Sequence, residues 1–82
     1  MANPYVGQPS KTRISVLVFI KGSAAPLVMY VENPITVYEE LKKIIETGQN
    51  KLYEKECNGP IKKLSFMTGQ ISALAIQEEP CR

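Results

Sequence analysis

The chain contains no histidine, no tryptophan and only two cysteines in 82 residues. Histidine is the side chain that most readily serves as a base near neutral pH. Without it, such chemistry falls to a perturbed carboxylate, lysine or thiol. Cys57 and Cys81 are too few for a disulfide scaffold, and their spacing fits no metal motif. Two reduced thiols are the expectation, since pairing would require the fold to bring them within reach. No catalytic residue, metal site or cofactor is expected.

Long apolar runs are missing too. The longest, "VLVFI", is strand length and far below the roughly 20 residues of a membrane helix. The amino terminus shows no charged-then-apolar leader pattern. Net charge is only +2, with lysines and glutamates interleaved, which gives no field to capture nucleic acid or an anionic membrane. A soluble, cytoplasmic chain without membrane contact is expected. Its 44% hydrophobic and 22% charged residues suit a folded domain. At this length there is room for one domain with a thin core, burying only about 60% of the unfolded surface.

Residues 1–12, "MANPYVGQPSKT", read as a flexible arm ahead of a single domain over 13–79, with a tail at 80–82. "RISVLVFIKG" is the clearest strand: Ile14, Val16, Val18 and Ile20 point one way, and Ser15, Leu17 and Phe19 the other. "GSAAP" turns the chain, and "PLVMYVEN" forms a second strand, antiparallel to the first. Asn33 is placed to cap a helix, Pro34 to open it and Gly48 to close it, with Thr36 and Glu39 offering a later start. Val37, Leu41, Ile44, Ile45 and Gly48 share one helix face, with Tyr38 at its margin.

"KLYEKEC" and "IKKLSFM" predict a hairpin around Asn58-Gly59, with Pro60 demanding a looser connection than a tight turn. "TGQ" turns the chain again into a last strand, Ser72 to Gln77. The expected fold is α+β: an antiparallel sheet of about five strands, made by a hairpin and a three-strand meander, with the one amphipathic helix packed on one face.

The helix "VYEELKKIIETGQ", the strand "LYEKEC", Lys62-Lys63 and the ending "ISALAIQEE" resemble a small family from cyanobacteria and red-algal plastids. The resemblance covers residues 14–79. It implies a hairpin, a Tyr-bearing helix closed by Gly, a Glu/Cys strand, a Lys-Lys strand and an "ISA" strand. It also implies a cytosolic or stromal address. The family carries no assigned activity, so no site residue transfers.

Each candidate for chemistry has an ordinary structural explanation. Glu78 and Glu79 are neighbours, which on a strand point to opposite faces and cannot converge as an acid–base pair. Glu39 and Glu40 lie on the outer side of the helix, where solvation is the usual fate. Glu54 and Glu56 beside Cys57 would raise its thiol pKa and blunt it as a nucleophile. "GQPSKT" ends as a P-loop does but lacks the glycine spacing. Lys42-Lys43 and Lys62-Lys63 could track phosphates, yet acids are interleaved with them and no stacking platform is visible.

Hydrophobic patterning points elsewhere. Leu17, Phe19, Val28 and Tyr30 alternate with an already apolar set, and one helix covers only one face of a sheet. Either the sheet curls over itself or another chain covers these four residues. Ala73 and Ala75 suit a closely approached strand, and "EEP" after them supplies charge and a proline that discourage further strand addition. The expected function is therefore a non-enzymatic, regulatory protein-binding module that forms a homo-oligomer. A weak RNA- or DNA-binding module using Lys42, Lys43, Lys62 and Lys63 is the alternative.

Overall fold

The computed structural model describes residues 12–80. The expected arm therefore lies outside the described residues, apart from Thr12, and so do Cys81 and most of "GQPSKT". The elements are β1 (Thr12–Ile20), β2 (Leu27–Met29), helix α1 (Pro34–Glu46), β3 (Leu52–Glu56), β4 (Lys63–Met67), a 3-10 turn (Thr68–Gln70) and β5 (Ile71–Pro80). Among the described residues the fold is α+β, with one helix and antiparallel sheets. β1 starts at Thr12 and β5 ends at Pro80, so each reaches one residue beyond the expected domain limits.

One expectation is corrected. The strands form two sheets, a three-stranded one in the order β2-β1-β5 and a two-stranded β3-β4 hairpin, so the last three strands make no meander. The reason lies in the match between β5 and β1. Their register sets Leu74 opposite Val18 and Ile76 opposite Val16 on one face, and Ala73 opposite Phe19 and Ala75 opposite Leu17 on the other. β4 offers no such match, because Lys63, Ser65 and Met67 are all exposed. The 3-10 turn diverts the chain away from β4. Gln70 hands it to β1 by accepting from the Lys21 amide at 2.8 Å.

Two local details also differ. Residues 57–62 separate the paired ends Glu56 and Lys63, so the connection at Asn58-Gly59 is a six-residue loop. Pro60 in that loop, having no N–H to donate, suits it better than a two-residue turn. β2 is shorter than its sequence run because Tyr30 leaves the ladder and bridges Asn58 instead.

Helix α1 opens at Pro34 as expected, but the Asn33 side chain makes no capping bond and the later Thr36 start is unused. Its exit is well satisfied. Gly48 adopts φ +73°, a left-handed turn that costs glycine little. The Gly48 amide donates to Ile45 at 3.0 Å and the Gln49 amide to Ile44 at 3.2 Å, pairing two carbonyls the helix would otherwise leave open.

The core joins both sheets to the helix. Val16, Val18 and Met29 are fully buried and meet Val37, Leu41 and Ile44 from α1, with Tyr53 and Phe66 from the hairpin and Ile71 from β5. Tyr53 and Phe66 are cross-strand partners with ring centroids 5.6 Å apart. Burial of each large side chain here stabilises by about 1.5–3 kcal/mol. Ile45, expected on the buried helix face, is instead 39% exposed.

Candidate interaction surface

The second face of the β2-β1-β5 sheet is set by strand alternation. Leu17 and Phe19 point away from the side that buries Val16 and Val18. Val28 is the cross-strand partner of Leu17 on β2, and Ala75 is its partner on β5. Helix α1 and the β3-β4 hairpin both contribute to the core on the Val16/Val18 side. Leu17, Phe19, Val28 and Tyr30 all remain half-buried in the single chain.

One end of this face is closed by a polar cluster. Tyr30 donates its hydroxyl to Glu79 Oε2 at 2.8 Å, and Arg13 Nε donates to the same oxygen at 3.0 Å. The guanidinium also lies 4.0 Å from the centre of the Tyr30 ring, a cation–π distance. Gln77 Nε2 donates to the other Glu79 oxygen at 2.9 Å. These donors hold the Glu79 carboxyl below its ordinary range, with the Tyr30 bond the chief cause. The same bond pushes the Tyr30 phenol up. β1 lies between β2 and β5, so Tyr30 reaches over the central strand to meet Glu79. Ser15 on that strand is fully buried, and its Oγ has no hydrogen-bond partner among the described residues.

Glu78 and Glu79 do part to opposite faces: Glu78 accepts from Thr12 Oγ1 at 3.0 Å, while Glu79 serves Tyr30 and Arg13. Glu40 is more than a solvated charge. It accepts the Tyr53 hydroxyl at 2.6 Å and has Lys55 Nζ at 4.0 Å. Burial and this bond push the Tyr53 phenol far above its usual range.

Cys57 is buried beside a cleft of about 670 Å³ between the start of α1 and the β3-β4 loop. Burial raises its pKa, while Lys55 lowers it. The cause is thus desolvation and not the neighbouring Glu54 and Glu56. A thiol held protonated is a poor nucleophile.

The four candidate lysines are all exposed and do not share one surface. Lys62 and Lys63 line the large cleft together with Lys55, Glu32 and Glu56. Lys42 lines a smaller cleft between α1 and β5, and Lys43 another beside Tyr53. Among the described residues no group of His, Cys, Asp or Glu could hold a metal ion, and no helix is long and apolar enough to cross a membrane.

Sequence reasoning found the apolar members of the face but not the Arg13–Tyr30–Glu79 cluster. Tyr30 and Glu79 are 49 residues apart, and only the β1–β5 pairing brings them together. The chain matches no family model, no curated protein and no solved structure.

Proposed function

We propose that this chain is a non-enzymatic protein-binding module that self-associates through the second face of its β2-β1-β5 sheet. The observation that carries this is the placement of Leu17, Phe19 and Val28 opposite the fully buried Val16, Val18 and Met29. The helix and the β3-β4 hairpin are both committed to the latter side. A second copy laid on the open face would add the apolar burial that a small core lacks. Ala73 and Ala75 let a partner approach closely, and the Arg13–Tyr30–Glu79 cluster forms a polar rim with its hydrogen bonds already made.

The nucleic-acid reading has less behind it, since its four lysines line three separate clefts. Kinship with the small cyanobacterial and plastid proteins, and a cytosolic or stromal address, belong to the same proposal.

Nuclear magnetic resonance with a soluble paramagnetic agent tests the face contact. The side-chain signals of Leu17, Phe19 and Val28 should lose contact with the agent as protein concentration rises. If they stay equally accessible while the chain is oligomeric by mass, the face is not the contact.

A further inference from the structure

β5 is the longest strand, ten residues, and among the described residues it pairs with β1 alone. Among the described residues its outer edge is therefore open. Proteins usually blunt such an edge with lysine, proline or a short strand. From Ile71 to Glu79 β5 has neither lysine nor proline, and its irregularity sits at one end, where the register shifts between Phe19 and Ile20. The "EEP" ending confines its two charges and its proline to the last three residues of β5, beyond the Ile71–Gln77 stretch, where Thr12 donates to Glu78 and Arg13 and Tyr30 donate to Glu79.

A cleft of about 290 Å³ runs beside this edge, between β5 and α1, lined by Tyr38, Lys42, Ile45 and Leu74. Two apolar side chains near the edge stay wet: Ile45 at 39% and Ile76 at 36% exposure. The opposite edge of the sheet offers less, since β2 is three residues long and its continuation at Tyr30 already bridges Asn58.

We propose that the open edge of β5 is a strand-pairing site and that its occupant is β5 of a second copy, antiparallel about a two-fold axis at Ala75. This goes beyond the face contact, because edge and face are different surfaces of one sheet. The register follows from the residues. A two-fold axis normal to the sheet keeps both helices on one side, so opposed residues must share parity along the strand. Centring on Ala75 sets Leu74 opposite Ile76 of the second copy, and Ile76 opposite its Leu74, giving two apolar cross-strand pairs. Centring one residue later would oppose Leu74 to Glu78. The Ala75 register also carries Glu78 of the second copy toward Ser72, beside the cleft that Lys42 lines. Opposite charges therefore meet twice across the axis. The wet Ile45 and Ile76 lie where this partner strand would cover them.

The test uses full-length chains in which Cys81 is replaced by Ser. Chains carrying Leu74→Cys and differently tagged chains carrying Ile76→Cys are mixed and mildly oxidised, with Cys57 left in its buried place. Directly opposed residues in an antiparallel pair have Cα atoms about 4.5–5.5 Å apart, within disulfide reach. The mixed cross-link, joining position 74 of one chain to position 76 of the other, should exceed either like-with-like product several-fold. A statistical mixture of the three, or no cross-link at all, would overturn the edge pairing.

Charge exchange gives a second reading at exposed positions. Lys42→Glu should lower the cross-link yield about two- to five-fold, and adding Glu78→Lys to it should restore the yield. Absence of rescue counts against the register. The outcomes separate the two contacts. A mixed cross-link that survives Phe19→Glu supports the edge whatever becomes of the face. Dissociation by Phe19→Glu with no mixed cross-link leaves the face standing and the edge refuted.

Discussion

Tyr30 and Glu79 are joined across the central strand of the main sheet, hydroxyl to carboxylate at 2.8 Å, with Arg13 on the same oxygen at 3.0 Å. The pair ties β5 to the residue that follows β2, over β1. Its donors hold the Glu79 carboxyl below the ordinary range. The folded state thus binds that proton more weakly than the unfolded state does. The contribution to stability is fully present above the ordinary glutamate pKa and is lost as pH falls through the lowered folded value. Glu79→Gln should lower the urea midpoint at pH 7 and narrow the gap between the midpoints at pH 7 and pH 3. An unchanged gap would show that Glu79 titrates alike in both states.

Thr68 ties the exit of the helix to the end of β4. It is buried, donates its hydroxyl to Gln49 O at 2.9 Å and accepts from the Lys51 amide at 2.9 Å. Valine fills the same space but makes neither bond. Thr68→Val should therefore cost about 1–3 kcal/mol, the usual loss for backbone groups left unpaired. Chemical denaturation measures it, and a change within error would mean that solvent replaces both bonds.

Gly59 sits at φ +90°, and a Cβ there would meet Tyr30 Cδ2 at 3.2 Å. Gly59→Ala combines a disfavoured backbone with pressure on the ring that reaches Glu79. It should destabilise by more than about 1 kcal/mol. The same variant built on Glu79→Gln should cost less than on the parent, because the ring is then free to move. Equal costs in both backgrounds would uncouple the loop from the cluster.

Much of this fold is written in local patterns. The alternation in Arg13–Ile20, the Val37-Leu41-Ile44 spacing and the Pro34 and Gly48 boundaries all rest on neighbours in the chain, and a strand over Thr12–Ile20 and a helix over Pro34–Glu46 form there. Strand partnership does not rest on neighbours. β5 chooses β1 over β4 through the match of Ala73, Leu74, Ala75 and Ile76 to residues more than 50 positions away, and no local signal ranks such choices. Ile45 shows the same limit on a helix: its angular position fits the buried stripe, but it lines an open cleft beside β5 and stays 39% exposed. The apolar residues of the candidate face were legible because alternation reveals both faces of a strand. Its polar rim was not, because that rim depends on long-range pairing.

The lysines provide a separate check. Lys62→Gln with Lys63→Gln should leave the oligomeric mass unchanged, since both side chains line a cleft away from the open face and from the edge of β5. Retention on RNA or DNA should be weak, as four scattered cations release few counterions. Salt-sensitive retention that this double variant abolishes would favour the nucleic-acid reading instead.

Self-association is tested most directly by molar mass from light scattering across a dilution series, for the parent and for Phe19→Glu. Circular dichroism establishes that the variant is folded. A parent mass above the single-chain value, falling on dilution, with folded Phe19→Glu at a lower mass wherever the parent is associated, is the expected result. A parent that stays at the single-chain mass throughout the series would contradict it.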